Sequence, residues 1–361
     1  MNLVACFPGK YIQGSGTILQ LESMIKKFGC KAVVLTSPTA KRYLPSSFYH
    51  SPLSSQISVE VFGGECSEAE LAAFSKRIEL LKAEVIVGMG GGKVIDTSKI
   101  AADRAGLPVI IVPTIASTDA PCSGCAIIYT VDGVFERVHY QRLNPAVVMV
   151  DEDIIAKSPV RFLIAGMGDA LATWFEARSC KKTSSENECG GLSTLAGQHI
   201  AKLCYETLLE HGLRATLDHQ SGVVSDSLKS IIEANILLSG IGFESGGLAS
   251  AHAIHNGLTM LPEAHAFYHG EKVAFGVLAG LHINHTPEKE VNTVYRFCAS
   301  VGLPVTLSQI GLKEITKEKL MIVARKSVES GSSIHHEGEG VDAQLVYDAL
   351  VKADQYGRQF I

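Results

Sequence analysis

Four of the thirteen histidines lie within eighteen residues: His252, His255, His265 and His269. The first two lie at positions i and i+3, and the last two lie at positions i and i+4. On a helix, each pair would therefore share a face. Pro262 lies between the pairs and is expected to end or turn a helix there. Neutral imidazole is the commonest metal ligand, and catalytic zinc usually has three protein ligands and an open fourth position. The cluster therefore predicts a metal site on two helices, with hydrogen-bonded structural histidines as the alternative.

Asp169 is a candidate for a further ligand because it interrupts an apolar stretch. It lies in the segment AGMGDALA at 165–172, which has the composition of a buried helix. A buried carboxylate costs free energy unless it is paired with a cation or coordinates a metal. Together with two of the histidines it would complete an Asp/His/His ligand set. For this residue taken alone, a polar turn or a local helix cap is the alternative.

A glycine-rich turn, GMGGGK at 88–93, follows a predicted strand and precedes a predicted helix. Glycine lets the backbone approach a phosphate closely, and a helix N-terminus provides free amides and positive potential. The turn is not a Walker A loop, because Val94 stands where that motif has Ser or Thr. It also departs from GxGxxG, because Lys93 takes the place of the third glycine. It predicts a pyrophosphate-binding cradle, with a tight strand-to-helix turn as the alternative.

A hydroxyl-rich loop, PTIASTDAP at 113–121, also follows a predicted strand. Doubly wound sheets bind ligands at the carboxyl ends of their parallel strands. Asp119 is suited to orienting a ribose or a polyol there, although a hydroxyl-rich turn without a ligand is the alternative. The adjacent Cys122 and Cys125 form a lone CxxC with no second pair, which does not favour a zinc ribbon.

The first part of the chain alternates short apolar runs with helical segments, which is typical of a parallel sheet covered on both faces. Strands are predicted at Ala32–Leu35, Ile57–Phe62, Val85–Val87, Val109–Val112 and Val147–Val150. Helices are predicted from the capping box at Ser67–Glu70 to about Lys82 and at Val94–Ala105.

After Asp151 only helices are predicted, the first of them opened by Ser158 and Pro159. The predicted helices are 159–179, 193–211, 224–241, 246–260, 270–285, 290–301, 316–330 and 342–356, with a polar loop at 181–191. The sequence therefore predicts an α/β N-terminal nucleotide-binding domain with a parallel sheet at residues 1–157. An all-α helical C-terminal domain, which binds the metal and the substrate, is predicted at 158–361.

Composition limits the class of protein further. A chain of 361 residues is long enough for two domains, and 46% hydrophobic with 19% charged residues is typical of a well-buried globular protein. The net charge of -5 comes with no basic stripe, which argues against binding to nucleic acid or a membrane surface. Nine scattered cysteines indicate reduced thiols, and neither a signal peptide nor an apolar run of about 18 residues is seen. We therefore expect a soluble, cytoplasmic protein.

Several longer motifs carry a resemblance to a known family. They are PGKYIQG at 8–14, FGGECS at 62–67, GGGK with IDT after it at 90–97, PTIASTDAPCS at 113–123, GMGDALATWFEAR at 166–178, IEAN at 232–235, GFESGGLASAHAIHNGL at 242–258 and YHGEKVAFG at 268–276. By these motifs the chain resembles the bacterial glycerol dehydrogenases of the group III, iron-type alcohol dehydrogenase superfamily, which is related in fold to dehydroquinate synthase. The resemblance extends over essentially the whole chain.

The resemblance implies three metal ligands that also belong to the catalytic site: Asp169, His252 and His269. It places His255 and His265 nearby. Iron-binding members of the superfamily carry a further histidine four residues after the aspartate, where this chain has Thr173. Three protein ligands suit one zinc ion per subunit.

For the cofactor, NAD, the resemblance and its motifs imply these contact residues: Ser37, Gly90, Gly91, Gly92, Lys93, Asp96, Thr114, Ser117, Ser123, Cys125 and Tyr129. Catalytic Asp119 would contact the hydroxyls of a polyol substrate together with the metal ligands, and Phe243 stands where the family packs a ring beside the substrate. Ser37 departs from the family, which usually has an aspartate there to hold the adenosine ribose. Its loss removes a contact to NAD and the charge that repels the 2′-phosphate of NADP. Cys125 replaces an aliphatic residue, with little effect expected.

The implied reaction is oxidation of glycerol to dihydroxyacetone by hydride transfer to NAD, with the metal as Lewis acid. His255 is one hypothesis for the proton acceptor, based only on its position near His252. The family tends to form homo-oligomers, often octamers. One alternative is an NADP(H)-linked enzyme of 2-hydroxy or 2-oxo acids or of other diols on the same scaffold. Another is a zinc lyase or hydrolase without redox chemistry.

Overall fold

Residues 1–46, Phe48 and 56–361 are described by the structure, a computed structural model. Within them the chain folds into two compact units, one of Cys6–Pro159 and one of Val160–Ile361 together with Met1–Ala5. The first contains a parallel sheet with helices and the second is helical, so the predicted fold class is confirmed. The N-terminal residues join the helical unit through a parallel bridge between Leu3 and Leu192.

The main sheet consists, in the described residues, of β1 (Tyr11–Gly14), β2 (Ala32–Thr36), β3 (Ile57–Val61), β4 (Val85–Gly90), β5 (Val109–Pro113) and β8 (Val147–Asp151). Its order is β1-β8-β5-β4-β2-β3, and every neighbouring pair is parallel. An antiparallel pair is formed by β6 (Cys125–Tyr129) and β7 (Phe135–Tyr140). In the part of this unit that the structure describes, the α-helices are α1 (Leu21–Ile25), α2 (Glu68–Leu81), α3 (Gly92–Ala105) and α4 (Glu152–Ile155).

Four of the five strands predicted from the sequence are buried along their whole length, and the fifth, β3, is only partly buried. Every residue of β2, β4, β5 and β8 is buried, because a sheet covered on both faces selects apolar side chains at each position. Strand β1 is only partly buried, and β6 alternates buried with partly buried residues. None of these strands, nor the largely exposed β7, was predicted from the sequence: β1 and β7 carry no continuous apolar run, whereas β6 does have one, CAIIY, that was overlooked.

The helical unit contains α5 (Val160–Thr183), α6 (Leu195–Gln220), α7 (Asp226–Glu233), α8 (Ser239–Gly246), α9 (Ser250–Leu258), α10 (His269–Ile283), α11 (Glu288–Val301), α12 (Lys317–Ser327) and α13 (Ala343–Gly357). The π-helical segment Ala234–Leu238 joins α7 to α8 without a break. Among the described residues, no helix has the length and apolar character that a membrane span requires.

Several details of the predicted helices are wrong. The helix predicted at 193–211 continues to Gln220, and the predicted loop at 181–191 starts later, because α5 extends to Thr183. The helix predicted at 224–241 continues to Gly246, and the next begins at Ser250 rather than 246, because Gly247 has a φ of 102° and ends the helix. His265 and His269 do not share one helix. A short 3₁₀ turn at Pro262–Ala264 precedes His265, and α10 begins only at His269.

Candidate metal and nucleotide sites

A close crossing of α5 and α10 brings Asp169 beside His269. A Cβ atom on Gly270 would lie 1.8 Å from the carbonyl oxygen of Ala165, and one on Gly168 would lie 2.3 Å from the carbonyl oxygen of Gly270. The two backbones approach this closely because neither position has a side chain. The glycine beside Asp169 therefore serves to place its carboxylate against the first residue of α10.

Helix α9 adds His252 to the same place. The Nε2 atom of His269 lies 3.0 Å from Oδ1 of Asp169, and the Nε2 atom of His252 lies 3.5 Å from that oxygen. One ligand atom from each of the three residues lies within 4.8 Å of the others. The structure thus brings together Asp169, His252 and His269, the three residues that the family resemblance implied as metal ligands.

The electrostatics of this cluster fit a bound cation. Both oxygens of Asp169 are buried, and within the described residues neither accepts a hydrogen bond of normal geometry, although an imidazole nitrogen lies 3.0 Å away. Burial opposes the charge on this carboxylate, but His269 and His252 hold its pKa below the usual value. Burial also disfavours a protonated His252, yet Glu176 and Asp169 raise its pKa well above the usual value. The cluster therefore attracts positive charge, and a divalent metal held by these residues would satisfy the buried carboxylate oxygens.

Glu176, which the sequence analysis did not single out, fixes the orientation of His252. Its Oε2 lies 2.6 Å from Nδ1 of His252, and its Oε1 accepts hydrogen bonds from the backbone amides of Ala249 (2.9 Å) and His252 (3.0 Å). A carboxylate that accepts the Nδ1 proton leaves the Nε2 lone pair free to coordinate a metal. Asp169 and Glu176 are seven residues apart on α5, and this spacing on one apolar helix could have revealed the pair.

A chain of hydrogen bonds orients His269 in the same way. Its Nδ1 lies 3.0 Å from Nε2 of His255, whose Nδ1 lies 3.1 Å from Oδ1 of Asn256. The Asn256 oxygen can only accept, so His255 donates from Nδ1 and accepts at Nε2. His269 then carries its proton on Nδ1 and presents the Nε2 lone pair to Asp169 and His252. Burial lowers the pKa of His255 well below the usual value, which favours the neutral ring that this chain requires.

Other predicted residues of the helical unit have different surroundings. His265 is exposed, and its ring bonds to the carbonyl oxygen of Thr259 at 2.9 Å. Thr173 is buried with its hydroxyl 2.9 Å from that of Ser239 on α8. Phe243, the predicted substrate contact, is 7% exposed on α8, where its carbonyl oxygen accepts from the amide of Gly247.

The glycine-rich turn forms an open helix N-terminus next to the hydroxyl-rich loop. Helix α3 begins at Gly92, and no side chain caps it at Gly91. A Cβ atom on Gly92 would meet no other atom within 4 Å, so the start of the helix borders open space, and the amides of its first turn have no partner within the helix. Strands β4 and β5 pair in parallel at Gly90, and the amide of Thr114 donates to the Gly90 carbonyl. This geometry suits a pyrophosphate.

Lys93 and Tyr129 meet beside this turn. The Lys93 ammonium forms an ion pair with Glu65 and lies 5.4 Å from the centre of the Tyr129 ring. Burial raises the pKa of the Tyr129 hydroxyl, which keeps it neutral. Glu65 lies in the segment FGGECS at 62–67, between a predicted strand and a predicted helix. It was not predicted as a site residue.

A buried lysine, which was not predicted from the sequence, forms hydrogen bonds to the end of the hydroxyl-rich loop and to the residues that follow it. Lys99 on α3 is 1% exposed and donates to the carbonyl oxygens of Ala120 and Cys125 and to the Ser123 hydroxyl. Ser117 and Asp119, on the same loop, are partly exposed.

Two predicted cofactor residues make contacts within the protein. Asp96 is 6% exposed, and its Oδ2 accepts a hydrogen bond from the amide of Ile127 on β6. Burial raises its pKa to about 6. Ser37 lies after β2, where its hydroxyl accepts from the amide of Ala40 at 3.1 Å and stabilises the turn.

Known proteins resemble this chain over its full length. The sequence family described as iron-containing alcohol dehydrogenase matches residues 8–152. A glycerol dehydrogenase of Thermotoga maritima is 50% identical, with 99% of this chain and 98% of that protein covered. One from Escherichia coli is 46% identical, with coverage of 100% and 99%.

A crystal structure of glycerol dehydrogenase from Schizosaccharomyces pombe superimposes with a TM-score of 0.94 at 38% identity, covering 99% of this chain and 92% of that one. The resemblance found in the motifs is therefore confirmed at the level of sequence and fold. The chain belongs to the iron-containing alcohol dehydrogenase family.

Proposed function

We propose that this protein oxidises glycerol to dihydroxyacetone and transfers the hydride to NAD. The observation that carries the proposal is the buried Asp169, His252 and His269 cluster in a chain that matches glycerol dehydrogenases from end to end. A non-redox zinc lyase or hydrolase is not favoured, because it leaves the open glycine turn at α3 without a role.

The three residues of the cluster would hold the metal, and we propose zinc. Thr173 is bonded to Ser239 and stands where iron-binding members have a fourth protein ligand. A divalent metal at this position supplies Lewis acidity that polarises a substrate hydroxyl. The protein contributes Glu176 and His255, which hold the two imidazoles with their Nε2 lone pairs directed inward.

The glycine-rich turn and the hydroxyl-rich loop, which carry several of the residues proposed for NAD, follow the carboxyl ends of β4 and β5. The free amides at Gly91, Gly92 and Lys93 would receive the pyrophosphate, and the Lys93 ammonium is close enough to add a positive charge. NAD supplies the hydride acceptor, while the chain holds it in place. Thr114, Ser117, Ser123, Cys125 and Tyr129 remain proposed cofactor contacts, and Asp119 and Phe243 proposed substrate contacts.

The experiment that tests this proposal measures cofactor reduction by chelator-stripped protein with glycerol, with NAD or NADP, and with zinc or ferrous iron added back. We expect reduction of NAD that zinc restores. Activity with NADP alone would show that Ser37 has changed the cofactor. No reduction with glycerol, but turnover of a 2-hydroxy acid or another diol, would contradict the proposed substrate.

We further propose that the protein acts in the cytoplasm as a homo-oligomer, with the octamer as the assembly to test first. All nine cysteines lie in the described part of the chain, and none forms a disulfide there. Helix α6 exposes a row of leucines, with about half or more of each side chain accessible: Leu195, Leu203, Leu213 and Leu217. Light scattering on the purified protein measures the assembly, and a monomer at micromolar concentration would contradict it.

A further inference from the structure

Lys99 is a buried cation whose hydrogen bonds all go to one loop. Its Nζ donates to the carbonyl oxygen of Ala120 at 2.8 Å, to the Ser123 hydroxyl at 3.2 Å and to the carbonyl oxygen of Cys125. An ammonium has three donors, so each is used. A buried ammonium is costly unless its donors are satisfied, and the loop must therefore keep these three acceptors converged on one point.

Asp96 supports the same segment from the preceding turn of α3. Its Oδ2 accepts from the amide of Ile127 at 3.2 Å, and the nearby Lys99 charge opposes the effect of burial on the Asp96 pKa. The two residues are three apart and so share a face of the helix. One face of α3 thus holds the chain from Ala120 to Ile127.

The held segment contains residues that carry the proposed function. Asp119 immediately precedes Ala120, and its carbonyl oxygen accepts from the amide of Cys122 at 3.2 Å. The same helix begins with the open turn at Gly92. Seven residues at 1.5 Å each place Lys99 about 10 Å along the axis from that turn. A single rigid helix therefore connects the proposed pyrophosphate cradle to the loop.

We propose that Lys99 is a positioning residue, which fixes Asp119 and the loop 120–125 relative to the phosphate-binding end of α3. The cofactor's nicotinamide half and the polyol would then meet a loop that is already ordered. This inference rests on the proposed function. Lys99 acts through the loop, since all of its donors are engaged by Ala120, Ser123 and Cys125.

The test compares the whole protein with its Lys99→Met variant, because methionine is similar in length and unbranched but has no donor. Binding of ADP-ribose probes the cradle, and binding of NADH probes the cradle together with the loop. We expect ADP-ribose affinity and metal content to stay unchanged while NADH affinity falls roughly tenfold. We expect kcat/KM for glycerol to fall about 100-fold, as for a misplaced substrate-contacting group. Lys76→Met, on the exposed face of α2, is the matched control and should change none of these values.

Unchanged NADH affinity and unchanged kcat/KM in Lys99→Met would overturn the proposal. Equal losses of ADP-ribose and NADH affinity would also overturn it, because they indicate general damage to the unit. If Lys99→Met does not fold, Lys99→Gln, which keeps two N–H donors without the charge, undergoes the same comparison. A wild-type protein that binds ADP-ribose but does not oxidise glycerol would contradict the proposed function, and the two binding measurements would still decide the role of Lys99.

Discussion

The Nδ1 atom of His252 lies 2.6 Å from Oε2 of the buried Glu176, and the other oxygen of that carboxylate accepts two backbone amides at the start of α9. The Glu176→Gln variant replaces one of these two oxygens with an NH2 group, which must then face the imidazole nitrogen or the two backbone N–H groups. We expect the affinity for zinc to fall about 10- to 100-fold, the range found for partners that orient metal ligands. Titration against a chromogenic chelator measures this affinity. Glu210→Gln, whose side chain is 75% exposed, is the control, and equal zinc affinity in the two variants would contradict the assigned role.

His255 and His265 form a second matched pair. His255→Phe removes the acceptor for the Nδ1 proton of His269, so the ring of His269 loses the bond that fixes its tautomer. We expect zinc affinity to fall by about tenfold or more. His265→Phe makes the same chemical change at an exposed residue that bonds only to a backbone carbonyl in the described contacts, and it should leave zinc affinity unchanged. Were His255 the acceptor of the substrate proton instead, the pH–rate profile of His255→Phe would change while its zinc affinity would not.

The sequence was informative where burial or ligand chemistry demands particular residue types. Continuous apolar runs predicted β2, β4, β5 and β8, because both faces of the sheet are covered. Asp169 was recognisable because a lone carboxylate in an apolar helix needs a partner. The shared carboxyl edge of β4 and β5 follows from the parallel order, and it placed the glycine turn beside the hydroxyl-rich loop.

Residues that act through other residues were not found in this way. Glu176, Lys99 and Glu65 have ordinary neighbours in the sequence, and their roles depend on contacts to segments 21 to 76 residues away. The spacing of His265 from His269 was misleading, because it matters only on a continuous helix and α10 begins only at His269. The edge strand β1 lacks the apolar run of a central strand, and only its pairing with β8 identifies it.

Gly92→Ala separates cofactor binding from stability. A Cβ atom there would meet nothing within 4 Å, so the protein should fold as before, and alanine is favoured over glycine in a helix by up to about 1 kcal/mol. The added methyl group would, however, take up part of the open space at the start of α3, where the pyrophosphate is proposed to bind. We expect unchanged or slightly raised thermal stability together with weaker binding of NADH and ADP-ribose. Calorimetric titration and thermal melting measure the two effects, and undiminished binding of both ligands would show that the pyrophosphate does not lie on this turn.

In contrast to Gly92→Ala, the Gly270→Ala substitution should lower the stability of the protein. Its Cβ atom would lie 1.8 Å from the carbonyl oxygen of Ala165, so α5 and α10 must separate. Overpacking of this kind typically costs about 1–3 kcal/mol, and a clash with backbone belongs at the upper end. We expect a lower free energy of unfolding and weaker zinc binding, since Asp169 and His269 lie on the two separated helices. Urea unfolding followed by fluorescence of Trp174, the single tryptophan, reports on this unit, and wild-type stability would contradict the close crossing.

Buried His282 makes the helical unit sensitive to acid. The ring is 8% exposed on α10 between Tyr295 and Tyr356, and burial, aided by the charge of Lys352, lowers its pKa to about 4 from 6.5. As the pH falls, His282 therefore binds a proton near pH 6.5 in the unfolded chain but only near pH 4 in the folded chain. The neutral His282 ring therefore makes its full contribution to the free energy of unfolding above about pH 6.5. This contribution declines as the pH falls from about 6.5 to about 4, by about 3 kcal/mol in all.

His282→Gln removes this titration while an amide can still bond to the Tyr295 hydroxyl, which also donates to the Ala353 carbonyl. The variant should lose less of its free energy of unfolding than the wild type between about pH 7 and about pH 5, because only the wild-type unfolded state gains the extra proton. Urea titrations at the two pH values, followed by Trp174 fluorescence, measure the difference. His199→Gln, which changes an exposed ring on α6, should keep the wild-type pH dependence. Identical acid sensitivity in all three proteins would mean that the His282 ring accepts its proton without unfolding.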